Sequence, residues 1–189
     1  MNKNEIDAIK SMIEKYEESR PELEILVMGP GEDNNDDYAQ KCYIKRCQIK
    51  DFLAKKHTAS FPETACEEAK NSGKDVTNIT AFEKALIEQS QLVIILLIPQ
   101  AAGVKSEVDT FSIYPECAKK MHLYYDYSHN IPWHLQNHID FIEGNGGKTE
   151  EFCEDDIESC LLLTKIGVKI EQMVNAISMW PYKKYQGIE

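Results

Sequence analysis

Apolar positions recur along the chain in two patterns, one typical of amphipathic helices and the other of buried strands. Helical spacing of three and four residues is found near both ends, over residues 3–19 before Pro21 and over residues 154–179 before Pro181. The run at residues 92–98 is apolar throughout and does not alternate. A run of that kind is typical of a central strand in a parallel sheet that is covered on both faces.

Shorter runs between these segments continue the alternation of strands and helices. Strands are predicted at residues 23–28, 58–61, 121–125 and 148–152. Helices are predicted from a cap among Asn34, Asn35 and Asp36 to about residue 56, then at 63–71, 79–89, from about 105, and at 132–142. The alternation predicts an α/β fold, a flavodoxin-like or Rossmann-like three-layer sandwich with a parallel sheet of four or five strands. No linker or repeat divides the sequence, so we expect a single domain over residues 1–189, with residues 148–189 forming a C-terminal strand and long helix.

The charge balance narrows the classes of partner. The 189 residues include 32 Asp and Glu against 21 Lys and Arg, which gives a net charge of −11. An acidic surface repels phosphate backbones and anionic lipids, so a polymeric nucleic acid or a membrane surface is not expected as a partner. Many of the Asp and Glu residues are concentrated at residues 32–37 and 150–158. The net charge therefore does not exclude a small nucleotide that is held by backbone N–H groups.

The lack of a recognisable targeting signal and the spacing of the cysteines predict a cytoplasmic protein. No apolar run approaches the about 20 residues that a membrane span needs, and the charged N-terminal residues lack the apolar core of a signal peptide. The six cysteines form no C-x-x-C pair, so we expect thiols.

Candidate chemistry is concentrated where strands end, because ligands of open parallel sheets bind beyond the carboxyl ends of the strands. Gly29-Pro30-Gly31 follows the first strand, and its glycines allow backbone N–H groups to approach a sugar or phosphate. A plain turn between a strand and a helix requires glycine as well. The central strand is followed by a small-residue loop and by Glu107, which we place in the first turn of the next helix, facing the cleft. The alternative for Glu107 is a solvated acid favoured by the helix dipole.

Gly103 and Glu107 form a Gly-x-x-x-Glu helix start behind the apolar strand, and the first strand ends in a Gly-Pro turn. In both features residues 23–126 resemble the superfamily of nucleoside 2-deoxyribosyltransferases and TIR-type NAD glycohydrolases. The resemblance implies cleavage of an N-glycosidic bond in a nucleoside or a nucleotide such as NAD, without a bound cofactor, with Glu107 as the catalytic carboxylate. Relatives of this kind act in nucleotide salvage or antiphage defence. The loop at residues 99–103 departs from the pattern, because the deoxyribosyltransferases usually keep an aspartate there.

Four further side chains are candidate substrate ligands, each with a structural alternative. Ser106 is expected to bond a ribose hydroxyl or to cap the helix, and Asp126 to bind a nucleoside hydroxyl or to lie in an ordinary loop. Tyr38 is placed to stack on a base or to pack in the core, and Arg46 to bind a phosphate or to form a surface ion pair.

No metal site is expected, because His134 and His138 have helical spacing but Leu135 stands where zinc helices of this type carry a glutamate. Two classes of function therefore remain. One is an N-glycosidase or transferase, and the other is a non-catalytic module on the same fold that senses a nucleotide or binds a partner. The apolar stripes of the two terminal helices predict a homo-oligomer.

Overall fold

The computed structural model describes residues 3–32, 36–128 and 133–185. They form an α/β fold with an open parallel sheet, which confirms the predicted class. The strands are β1 (Glu24–Met28), β2 (Thr58–Ser60), β3 (Leu92–Leu97), β4 (Met121–Asp126) and β5 (Lys148–Phe152). The helices are α1 (Lys3–Glu18), α2 (Asp37–Leu53), α3 (Pro62–Asn71), α4 (Ile79–Gln89), α5 (Ala102–Phe111), α6 (Pro115–Ala118), α7 (Trp133–Gly144), α8 (Glu154–Glu158) and α9 (Leu161–Tyr185).

The sheet has the order β2-β1-β3-β4-β5, and every neighbouring pair is parallel. The chain leaves β1 toward β2 and then returns past β1 to β3, so the strand order reverses between β1 and β3. Right-handed crossovers in opposite directions place helices on both faces of the sheet. Accordingly α2 contacts α8, whereas α3 to α7 form a separate chain of contacts with one another.

Burial explains why the central strand has no polar alternation. All six residues of β3 are buried, as are the last four residues of β1 beside it. Helix α2 begins at a side-chain cap, since the Asp36 carboxylate accepts a hydrogen bond from the Ala39 N–H at 2.8 Å. Asp36 therefore fulfils the predicted capping role, while Asn34 and Asn35 lie outside the described residues.

The predicted end of α2 and the predicted start of α5 were wrong. Helix α2 ends at Leu53 rather than near residue 56. Helix α5 begins at Ala102 rather than near residue 105, so Glu107 is its sixth residue and lies beyond the first turn. No capping side chain marks that start, because Ala101 occupies the N-cap position and makes no side-chain hydrogen bond there.

The predicted single terminal helix is two helices. Helix α8 ends at Glu158, the next residue, Ser159, has an extended backbone, and α9 begins at Leu161. Helix α9 also continues past Pro181 to Tyr185, since a proline removes one backbone donor without always ending a helix.

Contacts divide the chain into two compact units. The larger, Leu23–Thr164, contains the whole sheet and includes the predicted core at residues 23–126. The smaller combines Met1–Glu22 with Lys165–Glu189, and within it the Arg20 guanidinium forms an ion pair with the Glu171 carboxylate. Among the described residues, no helix has both the length and the apolar character needed to cross a membrane.

Candidate functional site

A cleft of about 740 Å³ opens at the carboxyl edge of the sheet, beside the point where strand order reverses. Cavities of this volume accommodate small molecules. Its lining comes from the turn after β1, from α2, from the segment at the end of β2, from α3 and α4, and from the loop that leads into α5. Neighbouring parallel strands end at the same edge, which is why segments distant in sequence meet here.

Six of the nine predicted site residues line this cleft: Gly29, Pro30, Gly31, Arg46, Gly103 and Glu107. The other three, Tyr38, Ser106 and Asp126, do not belong to its lining. The ends of β1 and β3, between which the strand order reverses, therefore meet at the cleft as expected. The end of β4 contributes nothing to this cavity.

Glu107 lies half-buried on α5 with its side chain in the cleft. Burial raises the pKa of its carboxyl group to about 7, and the negative charges of Glu83 and Glu63 add to the rise, while Arg46 opposes it. A carboxyl group with that pKa is part ionised at neutral pH, so it can change charge within the physiological range. The expectation of a solvated acid in the first helical turn is not met, because Glu107 is neither in that turn nor fully exposed.

Glu83, on α4, is a cleft carboxylate that the sequence did not reveal. Burial, and then the charge of Glu63, raises its pKa above the ordinary value. The residue stands in an amphipathic helix with no motif around it, so no local signal distinguishes it from a solvated surface acid. Only the return of the chain from β2 to β3 places α4 beside this edge.

Arg46 forms an ion pair, with Glu63, but its side chain is buried beneath the cleft and only 2% exposed, so the predicted surface position of that pair was wrong. Its Nε and Nη2 donate to the Val27 carbonyl at 3.2 and 3.0 Å, and its Nη1 donates to the Pro30 carbonyl at 3.2 Å. Nη1 and Nη2 also contact the two carboxylate oxygens of Glu63 at 2.7 and 2.8 Å. Together these contacts engage all three nitrogens of the guanidinium.

The same guanidinium stacks on the Phe61 ring, with 4.3 Å from Cζ to the ring centroid. Its aliphatic stem passes Gly29 so closely that a Cβ built there would lie 3.1 Å from Arg46 Cδ and 3.2 Å from Leu96 Cβ. A side chain at position 29 would therefore have to push the buried arginine or Leu96 aside by a few tenths of an ångström. Arg46 holds the first turn in place and has no donor left for a phosphate.

Asp126, Tyr38 and Ser106 have other surroundings. Asp126 is buried at the end of β4, where it accepts hydrogen bonds from the backbone N–H of Ser128, at 2.9 Å, and from the Ser128 hydroxyl. Tyr38 interacts with Asp126 and Cys42, and burial raises the pKa of its phenol, as do both of those neighbours. Ser106 is exposed in the interior of α5, so its predicted capping role was wrong.

Both histidines singled out from the sequence contact other side chains. His138 bonds Ser112 Oγ through Nδ1 at 2.7 Å, and its Nε2 lies 3.4 Å from the Asp109 carboxylate. The His134 ring meets the Trp133 ring edge-on, with 6.2 Å between the ring centroids. Within the described part of the chain, one group has the spacing of metal ligands, namely Glu88, Glu116 and Cys117, and Lys84 pairs with both of its carboxylates at 3.1 and 3.4 Å.

The cleft thus brings a carboxylate that titrates near neutral pH to the topological switch point of a parallel sheet, above a turn fixed by a buried arginine. Such a site can bind a small polar molecule and present a carboxylate to an electron-poor carbon. No protein-family model matches the chain, and a search of curated proteins found no match either.

Proposed function

We propose that the protein is an N-glycosidase or (deoxy)ribosyltransferase that acts on a nucleoside or a nucleotide such as NAD, with Glu107 as its catalytic residue. The observation that carries the proposal is the position of the Glu107 carboxylate, half-buried in a cleft at the strand reversal with a pKa of about 7. The resemblance to the deoxyribosyltransferase and TIR superfamily in the Gly-x-x-x-Glu segment supports the same chemistry.

The reaction requires the carboxylate to stabilise positive charge on the sugar. As the C1′–N bond breaks, its electron pair leaves with the base, and positive charge develops on the sugar ring. An ionised Glu107 oxygen stabilises that charge or forms a bond to C1′. Water or a second base then adds to C1′, either directly or by displacing Glu107 where that bond has formed, and the outcome is hydrolysis or transfer respectively. The proton that the acceptor releases goes to the departed base, or to solvent when the base, as in NAD, leaves as a neutral molecule.

The turns on either side of the cleft bind the substrate in this proposal. Gly29 and Gly31 in the turn after β1, and Gly103 in the first turn of α5, let backbone groups approach its hydroxyls, since no side chain stands in the way. Pro30 contributes shape and, through its carbonyl, a bond to Arg46. Arg46 is a positioning residue, because its donors are engaged with the protein.

The test is release of free base, followed by chromatography, from NAD and a panel of deoxynucleosides. We expect turnover that rises with pH through about 7, where Glu107 ionises, and a loss of at least about 100-fold in Glu107→Gln. Glu68→Gln, an exposed acid on α3 outside the cleft lining, is the matched control. Stabilisation by a nucleotide without base release would instead identify a sensing module, and no response to any nucleotide would identify a partner-binding module.

We also propose a cytoplasmic homo-oligomer that associates through α1 and α9. All six cysteines are unpaired thiols, which suits a reducing compartment. Ile6 and Ile9, three residues apart on α1, are 37% and 45% exposed, and Ile177 on α9 is 44% exposed. Light scattering should give a multiple of the chain mass that Ile9→Glu reduces to the monomer. A monomeric mass for the unaltered protein contradicts this assembly.

A further inference from the structure

The cleft lining is strongly one-sided in charge. It contains five glutamates: Glu32, Glu63, Glu67, Glu83 and Glu107. Among the described lining residues Arg46 is the single cation. Glu83 and Glu107 are half-buried, and the other three are exposed. Partial burial strengthens the field of the first two, so the charge of a ligand matters more beside them than on an open surface.

The positive charge of Arg46 does not balance this excess. Its guanidinium is paired with Glu63 through two contacts, and the remaining N–H groups are bonded to backbone carbonyls. Lys50 approaches the Phe61 ring at 5.3 Å, but its ammonium pairs with Asp51 at 3.1 Å. The N-terminus of α5 adds a partial charge of about half an elementary charge, which is small beside the four glutamates that Arg46 does not neutralise.

The carboxylates of the cleft repel one another. Burial is the larger cause of the raised pKa values of Glu107 and Glu83, but the charge of Glu83 adds to the rise at Glu107, and the charge of Glu63 adds to it at both residues. A bound cation relieves this repulsion, whereas a bound phosphate adds to it. The repulsion between the carboxylates therefore favours a positively charged ligand.

We infer that the cleft selects nucleosides whose base carries a positive charge and whose sugar carries no phosphate. That the protein cleaves such a substrate rests on the function proposed above. That it prefers such a substrate rests on the charges of the residues that line the cleft. An N-substituted pyridinium riboside represents the class. Within the nicotinamide compounds this selection favours the riboside over the mononucleotide and over NAD.

The chemistry of a cationic base suits a cleft in which acids are the main polar side chains. When the C1′–N bond breaks, the base takes the electron pair and leaves as a neutral molecule, so no proton donor is needed. Glu107 stabilises the ring cation, and water adds its oxygen to C1′ and releases one proton. Atoms and charge balance without a further reactant.

The experiment separates binding from turnover. Calorimetry on Glu107→Gln at pH 8 measures the affinity of three probes: nicotinamide riboside, its uncharged 1,4-dihydro form, and nicotinamide mononucleotide. At low salt we expect the riboside to bind about tenfold more tightly than either of the others, and the preference to shrink at about 0.5 M salt. Nicotinamide release by the unaltered protein should be faster from the riboside than from NAD.

A second substitution locates the origin of the preference. Glu67 is an exposed cleft residue on α3, and Glu68 beside it lies outside the lining. In the Glu107→Gln background, Glu67→Gln should reduce the preference for the riboside about threefold, whereas Glu68→Gln should leave it unchanged.

The outcomes distinguish the two proposals. If the mononucleotide binds as tightly as the riboside, or tighter, the charge selection is overturned, while base release that depends on Glu107 still supports the proposed reaction. If the riboside is preferred but no probe releases its base, the selection stands and the glycosidase function is overturned. Absence of both binding and release overturns both.

Discussion

At the scale of single residues, Glu107 carries a cost that its proposed role explains. Its pKa of about 7 lies above the ordinary value of 4.5, so the folded protein holds this proton more tightly than the unfolded chain does. The neutral form therefore favours folding fully below pH 4.5, and that contribution is lost as the pH rises through 7. This loss of stability has no benefit for a carboxylate that only supports the fold, but a reacting carboxylate needs the half-buried position.

Replacing this carboxyl group should therefore stabilise the protein. Glu107→Gln removes the buried charge, and we expect its free energy of unfolding at pH 8 to exceed that of the unaltered protein by about 2 kcal/mol, a value discounted for partial solvation. Urea denaturation measures the difference, which should fall toward zero as the pH approaches 4. An equal gain at both pH values would mean that the effect does not come from ionisation.

Arg46 should be among the costliest residues to replace. Arg46→Met removes four hydrogen bonds and the ion pair with Glu63, leaves the carbonyls of Val27 and Pro30 without this donor, and should lower the free energy of unfolding by about 3 kcal/mol. Arg46→Lys should recover little, since an ammonium lacks the planar fork.

The matched control for Arg46 is Lys41→Met. Lys41 pairs with Glu154 and Glu158 at 2.9 and 2.6 Å, but its side chain is 45% exposed, so the loss should be small beside that of Arg46→Met. Equal losses in Arg46→Met and Lys41→Met would show that burial does not strengthen the Arg46 contacts.

At the scale of elements, the turn between α7 and β5 depends on one close approach. A Cβ on Gly147 would lie 2.6 Å from Ile142 Cγ2 and 2.9 Å from the Met121 carbonyl oxygen, so backbone would have to move. Gly147→Ala should therefore cost about 2–3 kcal/mol in unfolding free energy. Gly144 has nothing within 4 Å of its position, and Gly144→Ala should be neutral or stabilising by about 0.5 kcal/mol. Thermal denaturation of the pair compares the two, and a Gly147→Ala protein as stable as Gly144→Ala contradicts the packing argument.

Elements were predictable where local chemistry determines them. The apolar run identified β3, and the Asp36 cap marked the start of α2. The start of α5 could not be found, because Ala101 offers no capping side chain. The break between α8 and α9 was missed because apolar residues continue at helical spacing across Ser159.

At the scale of the whole molecule, the alternation of strands and helices in the sequence predicted the fold class but could not predict the strand order. Pairing between strands is a long-range property, and the order decides which helices border the cleft. The glycine turns and Glu107 could be assigned to one edge because they follow adjacent strands. The place of Glu83 in the cleft and the buried contacts of Arg46 could not be predicted. Both depend on where α2, α3 and α4 lie after the sheet has formed.

The same sheet order predicts how stability is distributed. Strand β3 is central, bonded to β1 and β4, and fully buried, whereas β2 is a three-residue edge strand with no fully buried position. Native-state hydrogen exchange should be slowest at β3 amides, near the global unfolding free energy, and markedly faster in β2. Equal protection of the two strands would contradict this distribution.

The saturated bonding of Arg46 has a consequence for how fast and how tightly the cleft binds. Because its partners belong to the protein, the floor of the site is complete before a ligand arrives, and no loop has to be ordered around the guanidinium on binding. A preorganised site loses little conformational entropy on association, so more of the contact free energy appears as affinity. Inhibitors for this cleft should accordingly be rigid, compact and matched to its shape at rest.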